Sequence, residues 1–249
     1  VKTFWSEMRK GGAIGYVILL LGFLALVAAL LRAFFLRGAG ARVDKLMDRV
    51  RAYPKLILDL RGNGGGYVVI EEYLLSHFFE KSVKIADVRR KDKTEVRMTK
   101  VLSTDKRYSG EISVLIDSNS ASASEMTARV LQLEKRGKVY GDFSSGSVMT
   151  SITLPFENIV SVFADLAIIK VGMSVTVADV IMSDGSRLEH TGVVPDEVLH
   201  PAGVAFKERM DPVLAYVATK MGATLSAEDA GKFYFITDKE PEEIDTEEK

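Results

Sequence analysis

An uninterrupted apolar segment near the start of the chain constrains the fold most strongly. Residues Ala13 to Leu31 include no charged side chain, and after Arg32 the apolar run continues from Ala33 to Leu36. A helix of roughly 20 apolar residues matches the hydrocarbon core of a bilayer. Helices buried in a soluble domain usually keep a polar stripe, and this segment has none. The sequence therefore predicts a single membrane-spanning helix over residues 13–36, within an N-terminal anchor that covers residues 1–37.

Two further patterns concern the side of the membrane on which the rest of the chain lies. Ala39-Gly40-Ala41 is similar to a signal-peptide cleavage site, but the apolar region is longer than that of a typical signal peptide. Basic residues are more numerous after the apolar segment than before it. The positive-inside rule would therefore place the C-terminal domain in the cytoplasm.

The overall composition excludes several classes of function. The net charge is −1, so nothing indicates a nucleic-acid partner. The chain has no cysteine, which excludes disulfides, thiolate metal sites and cysteine nucleophiles. The three histidines, His77, His190 and His200, lack the spacing of metal ligands. Neither a metal site nor a cofactor is predicted.

Beyond the apolar segment, the pattern alternates between strands and helices. Helical spacing over residues 43–50 predicts a juxtamembrane helix, which together with a linker occupies residues 38–54. Strands are predicted at 55–60, 83–88, 95–101, 112–116, 138–140, 151–154 and 160–170, and helices at 69–79, 123–135 and 211–221. This alternation predicts an α/β domain over residues 55–236. The acidic residues 237–249 lack apolar periodicity and are predicted to form a disordered tail.

A serine-rich turn suggests nucleophilic catalysis. Ser120-Ala121-Ser122-Ala123-Ser124-Glu125 follows the predicted strand 112–116 and begins the predicted helix 123–135. Small residues on such a turn expose a serine hydroxyl, and the N–H groups of the helix start can face a developing negative charge. Acyl transfer is therefore the first hypothesis.

A glycine-rich turn, Gly62 to Gly66, also joins a predicted strand to a predicted helix. It lacks both the GxGxxG and the GxxxxGK[ST] pattern of phosphate-binding loops. It could instead supply the N–H of Gly64 or Gly65 to an oxyanion hole, or it could be only a tight turn.

Three motifs together resemble those of one enzyme family. The sequence LDLRGNGGG at Leu58 to Gly66 resembles the DLRxNxGG signature of the C-terminal processing peptidases, also called tail-specific proteases. Ser120 to Glu125 is similar to the SASASE nucleophile motif of that family, and Glu189 to Asp196 resembles its ExxGVxPD element. The resemblance covers residues 55 to about 199, in the family's order.

The resemblance implies a fold, an activity and a set of site residues. The fold would be a ClpP/crotonase-like ββα core, and the activity would be serine-type hydrolysis of polypeptide substrates. Ser122 would be the nucleophile, and the N–H of Ala123 with that of Gly64 or Gly65 would form the oxyanion hole. The family's protease domains usually work outside the cytoplasm, which implies a periplasmic domain, against the positive-inside rule.

The sequence departs from the family's pattern at the general base. The family's usual lysine, about 25 residues after the nucleophile, falls on Ser147. One interpretation is that another group acts as the base. His190, which lies beside Glu189, is a candidate because some relatives use a histidine and a glutamate. Lys170 is a weaker candidate. A second is a hydrogen-bonded relay around Ser147, and a third is an inactive, peptide-binding homologue.

The N-terminal part of the domain also departs from the pattern. Family members usually carry a PDZ module and several strands before DLRxNxGG, whereas about 20 residues separate the apolar segment from this motif here. We therefore expect a core that is incomplete on its N-terminal side, with an exposed sheet edge. The apolar segment is also similar in composition to the first helix of proton-channel proteins, so a membrane adaptor is a further, minor hypothesis.

Overall fold

The computed structural model describes residues 12–162 and 165–234, and it divides the chain into a helical unit and a unit that begins at Val50. Helix α1, Gly12–Val50, is 39 residues long. At about 1.5 Å per residue it measures about 58 Å, which exceeds the thickness of a bilayer core. Many apolar side chains along it are exposed, among them Leu21, Leu24 and Phe34. One helix therefore includes both the predicted membrane span and the predicted helix over 43–50.

The second unit is built on a parallel sheet. Strands β1 (Lys55–Asp59), β4 (Glu111–Ile116), β5 (Lys138–Gly141) and β8 (Glu197–Val198) lie in the order β1-β4-β5-β8. Every neighbouring pair is parallel. Five of the six residues of β4 are buried, as expected for a short run of apolar residues at the centre of such a sheet. Among the described strands, β1 is at one edge.

A second, antiparallel sheet has the order β3-β2-β7-β6. It contains β2 (Lys84–Arg89), β3 (Thr94–Met98), β6 (Thr150–Val162) and β7 (Asp165–Met182). The last two strands form a long hairpin that the sequence did not predict. The prediction of one strand over 160–170 is wrong. Residues up to Val162 belong to β6, and residues from Asp165 onward belong to β7, its antiparallel partner. Positions 163–164 of that prediction lie outside the described residues.

Helices connect and cover the strands. They are α2 (Val68–Ser76), α3 (Ala123–Leu133), α4 (Gly203–Lys207), α5 (Pro212–Lys220) and α6 (Ala227–Tyr234), with a 3₁₀ turn at Thr104–Lys106. Asp211 begins α5, since its side chain accepts a hydrogen bond from Leu214 N and Pro212 occupies the first turn. Val213 and Val217 of α5 pack with Leu115 and Tyr140 of the parallel sheet in one buried cluster.

The mixed α/β architecture confirms the predicted α/β class, and helices 69–79, 123–135 and 211–221 are present with slightly different ends. The predicted acidic tail, residues 237–249, and residues 1–11 of the predicted anchor lie outside the described residues. Because β1, β4 and β5 are parallel, the loops that follow them meet at one edge of the sheet. These three loops carry the glycine turn, the serine turn and Ser147.

Candidate active site

Ser122 stands at the junction between the β4–α3 loop and helix α3. Its backbone has φ 55° and ψ −118°, a conformation that residues other than glycine rarely adopt. Ser120, two residues earlier, is fully buried, and its hydroxyl donates to Leu60 O at 2.7 Å. Ser122 is only partly buried. The serine turn therefore has one serine that fixes the loop and one that is accessible for chemistry.

The glycine turn lies directly against Ser122. At Gly65, with φ +96°, a Cβ would be 2.7 Å from Ser122 Cβ and 3.0 Å from Ala123 N. The Gly65 N–H donates to Asn63 Oδ1 at 2.9 Å, and Asn63 O accepts from Ala121 N at 3.0 Å. Within the described residues, neither Gly64 N–H nor Ala123 N–H is hydrogen-bonded. Of the three predicted donors, Gly64 and Ala123 thus present unoccupied N–H groups, and Gly65 provides the close approach.

A buried carboxylate joins the serine turn to the loop after β5. Glu125 is fully buried, and its Oε2 accepts from Ser122 N at 3.0 Å and from Ser147 N at 2.9 Å. Its Oε1 accepts from Ser144 Oγ at 2.6 Å and from Gly146 N at 2.7 Å. These four hydrogen bonds satisfy both oxygens of the buried side chain and join the serine turn to the loop after β5.

Ser147 is held beside the proposed nucleophile by its backbone. Its carbonyl accepts from Ser122 N at 2.9 Å, and its hydroxyl accepts from Ser145 Oγ at 3.1 Å. The side chain is exposed. The fold therefore brings position 147 next to Ser122, as the family resemblance implies for the base, but a hydroxyl there cannot accept a proton at neutral pH.

Glu189 and His190 contact the same loop from the other side. Glu189 Oε2 accepts from Val148 N at 2.9 Å and from Met149 N at 3.0 Å. The His190 N–H donates to Gly146 O at 2.8 Å, and its backbone has φ 62°. Its ring is exposed and, among the described residues, has no hydrogen-bond or ionic partner. Lys170 lies on β7, where only the backbone is described. The predicted residues 122, 147, 189 and 190 therefore all surround one loop.

Sequence reasoning missed two polar residues that organise the site. The buried Ser144 hydroxyl donates to Glu125 and accepts from Val193 N at 2.6 Å, which ties the loop after β5 to the 189–196 segment. No feature of the Ser144-Ser145-Gly146-Ser147 run distinguishes this serine. The other is Asp211, 150 residues from its partner Arg61.

Arg61, which directly precedes the glycine turn, is held between two carboxylates. Its guanidinium contacts Asp59 Oδ2 and Asp211 Oδ2, each at 2.6 Å. Burial disfavours its charge, but the hydrogen bonds with Asp59 and Asp211 outweigh burial and raise the pKa of Arg61. Arg61 could be noticed in the sequence because it belongs to the LDLRGNGGG motif. Its partner Asp211, 150 residues away, is identified only by the folded structure.

Comparison with known proteins gives a family match over most of the chain. Residues 28–199 match the sequence profile of peptidase family S41. The chain is 33% identical to the carboxy-terminal processing protease CtpB of Bacillus subtilis over 101 aligned residues. This alignment covers 40% of this chain and 21% of that protein. It is 27% identical to a probable CtpA-like serine protease of Staphylococcus haemolyticus over 149 aligned residues. This second alignment covers 60% of this chain and 27% of that protein. The chain thus spans about a quarter of the length of these relatives.

Solved structures share the fold. The photosystem II D1 C-terminal processing protease matches with a TM-score of 0.50 and 22% identity, over 66% of this chain and 40% of that chain. Mature CPAF in complex with lactacystin matches with a TM-score of 0.53 and 16% identity, over 64% of this chain and 42% of that chain. At these identities the likeness concerns the fold alone.

Proposed function

The chain belongs to peptidase family S41, and we propose that it hydrolyses peptide bonds in polypeptides through an acyl-enzyme on Ser122. Family membership confirms the resemblance that the three motifs indicated. The observation that carries the proposal is the placement of Ser122. It lies at a helix N-terminus and against Gly65, and the N–H of the next residue, Ala123, has no hydrogen-bond acceptor among the described residues.

In the proposed reaction, the Ser122 hydroxyl oxygen attacks the carbonyl carbon of the scissile peptide bond. The negative charge that develops on the carbonyl oxygen is stabilised by Gly64 N–H and Ala123 N–H. The C–N bond then breaks, the leaving amine takes the proton that Ser122 lost, and an ester to Ser122 remains. Water hydrolyses the ester and restores the hydroxyl.

We propose His190, with Glu189 next to it, as the group that carries this proton. His190 donates to Gly146 O, and Ser122 donates to the neighbouring Ser147 O, so adjacent peptide groups of one loop hold both residues. The exposed ring can reorient when a substrate binds, and catalytic hydrogen bonds are often absent before substrate is present. Glu189 keeps the loop in place through Val148 and Met149.

One observation favours a second function, that of an inactive homologue that binds peptides. Within residues 12–162 and 165–234, no side chain accepts a hydrogen bond from the Ser122 hydroxyl, and Ser147 occupies the position of the family's lysine. Without a base, Ser122 would lose the roughly 10²–10⁴-fold that proton transfer contributes.

We further propose that residues 13–36 anchor the protein in a membrane and that the peptidase domain is extracytoplasmic. The exposed apolar surface of α1 supports the anchor, since this surface needs a nonpolar environment. The localisation follows from the family and opposes the positive-inside rule. The same helix would also suit a signal sequence.

A fluorophosphonate probe tests the assignment of Ser122 and His190. We expect labelling of the detergent-solubilised full chain and none of Ser122→Ala, whereas Ser174→Ala, an exposed serine on β7, should be labelled like the wild type. His190→Ala should be labelled at least 100-fold more slowly, and added imidazole should restore part of the rate.

Three results separate the alternatives. If His190→Ala is labelled at the wild-type rate, histidine is not the base. If the wild type is unlabelled but still binds unfolded polypeptide, the inactive homologue is the correct function. If it neither reacts nor binds, both functions are wrong.

A further inference from the structure

A cavity of about 330 Å³ lies at the carboxyl edge of the parallel sheet, the edge that also carries Ser122. Most of its wall comes from residues at or just after the carboxyl ends of β1, β4, β5 and β8, including Arg61, Asp117, Asp142 and His200. Ligands of parallel sheets typically bind at this edge, and the volume lies within the range of ligand sites. We propose that this cavity binds a cationic side chain, lysine or arginine, of a polypeptide.

The inner part of the cavity is apolar. Ile116 is fully buried at the end of β4, Val213 is buried in α5, and Leu199 follows β8. Met210 and Pro201 complete this surface. Such a surface favours the methylene stem of a long side chain, because burial of a CH₂ group contributes about 0.8 kcal/mol.

The polar part of the cavity is negative. Asp117 Oδ1 accepts from Gly62 N and Asn119 N, and Asp142 Oδ1 accepts from Phe143 N. Among the described residues, no group donates to Oδ2 of Asp117 or to Oδ2 of Asp142. Both aspartates are only partly buried, so these oxygens can receive a donor from a ligand.

Arg61 and His200 are the basic residues in the cavity wall, and each already contacts an aspartate. The Arg61 guanidinium is held by Asp59 and Asp211, so two carboxylates share its single charge. His200 Nδ1 is 3.6 Å from Asp142 Oδ1, and its side chain is 61% exposed. An ammonium or guanidinium group therefore suits the cavity, whereas a carboxylate would be repelled.

The position of the cavity favours a polypeptide over a free amine. Asp117 lies in the loop that ends at Ser122, and Asp142 lies in the loop that continues to Ser147. A peptide that crosses this edge to reach Ser122 could place one side chain in the cavity. The assignment rests on the proposed peptidase function for its substrate class, but it can be tested without catalysis.

Peptide binding to the full-length Ser122→Ala protein tests the site. Three fluorescein-labelled peptides would differ at one central residue, which is lysine, norleucine or glutamate. We expect the lysine peptide to bind about five- to tenfold more tightly than the norleucine peptide, and the glutamate peptide more weakly than both. The preference for lysine should decrease in 0.5 M NaCl, because salt screens partly exposed charges.

Variants at Asp142 separate the charge from the fold. Asp142→Asn keeps an oxygen that can accept from Phe143 N but removes the negative charge. The preference of this variant for the lysine peptide should therefore fall at least threefold. Asp142→Lys reverses the charge and should favour the glutamate peptide. The control Asp92→Asn, an exposed residue between β2 and β3, should keep the wild-type preference. Equal affinity for the lysine and norleucine peptides would overturn the proposal. Binding of spermidine without any lysine preference would show a small-polyamine site instead.

Cleavage of the same peptides by the wild type separates this inference from the proposed function. A lysine preference in binding without any cleavage would refute hydrolysis and support the site. Cleavage on Ser122 without a lysine preference would refute the site and leave the peptidase function.

Discussion

At the scale of single residues, the backbone of Ser122 is held in a conformation that costs about 1–3 kcal/mol for a residue other than glycine. Its N–H is fixed by Glu125 Oε2 and by Ser147 O, and Gly65 packs against its Cβ. These contacts offset the strain and keep the hydroxyl accessible at the start of α3. Two substitutions test this account.

Gly65→Ala should displace Ser122. The new Cβ would lie 2.7 Å from Ser122 Cβ and 2.8 Å from Ala121 O, at a φ that alanine tolerates poorly. We expect labelling by a fluorophosphonate probe to fall at least tenfold and the free energy of unfolding to decrease by about 1–3 kcal/mol. Gly66→Ala, where no atom lies within 4 Å of the added Cβ, is the matched control. Equal labelling of both variants would contradict the assigned contact.

Glu125→Gln should loosen both the serine turn and the loop after β5. Glutamine keeps one oxygen, and its NH₂ group would face two of the four donors that the carboxylate now satisfies. The expected loss is about 2–4 kcal/mol in the free energy of unfolding, together with slower probe labelling. Glu134→Gln, at the exposed end of the same helix, should change neither quantity. A stable Glu125→Gln protein with normal labelling would show that the carboxylate does not position Ser122.

The sequence was sufficient to single out Ser122, Ala123 and the glycine turn, because small residues on strand-to-helix turns have a direct geometric meaning. It was not sufficient for the roles of Glu125 and Ser144. The position of Glu125 suggested only a favourable charge in the first turn of a helix. Its four donors come from loops that meet it only after folding.

At the scale of helices and strands, short apolar runs were good predictors of β4 and β5, because strands at the centre of a parallel sheet are buried on both faces. The β6–β7 hairpin was missed for a related reason. An apolar run does not reveal where the chain reverses direction, and β7 pairs with β2 only near its end. Tertiary pairing, not local pattern, defines these two strands.

Helix α2 contains a buried acid that should make stability depend on pH. Glu71 is 5% exposed, and neither of its oxygens has a hydrogen-bond partner among the described residues. Burial, aided by Glu72 and opposed by Arg97, raises the pKa of Glu71 well above its ordinary value. The folded state therefore binds this proton more tightly than the unfolded state, so stability decreases as pH rises from about 4.3 to the raised pKa.

Glu71→Gln removes this titration. Chemical denaturation at a series of pH values should show the stability of the variant, relative to the wild type, increasing from about pH 4.5 upward and reaching a plateau above the raised pKa. A constant offset from the substitution itself does not affect this slope. A flat difference for Glu71→Gln would contradict the raised pKa of this buried carboxyl group.

At the scale of the whole molecule, the chain combines a long apolar helix with an α/β peptidase domain. The apolar part of this helix, residues 13–36, was readable from composition alone, since a long run of apolar residues does not depend on tertiary contacts. The pairing of Arg61 with Asp211 across 150 positions was not readable, because no local pattern connects an arginine after β1 with the residue that begins α5.

The proposed membrane anchor predicts the behaviour of the full chain during extraction. The wild type should remain with membranes in alkaline carbonate and require detergent for release. Leu21→Glu with Leu24→Glu should shift the protein to the soluble fraction, because each acid at the centre of a membrane helix costs about 2.5–3.5 kcal/mol. Leu46→Glu, which lies outside residues 13–36, is the control. Release of the wild type by carbonate alone would refute the anchor.

The assignment of Ser122 as the nucleophile is tested best by locating a fluorophosphonate adduct by mass spectrometry of the digested full-length protein. We expect one phosphonyl group per chain, on Ser122, with Ser120, Ser124, Ser145 and Ser147 unmodified. Ser122→Ala should carry no adduct. An adduct on one of the other serines that persists in Ser122→Ala, or no adduct on a protein that still cleaves peptides, would contradict the assignment of Ser122 as the nucleophile.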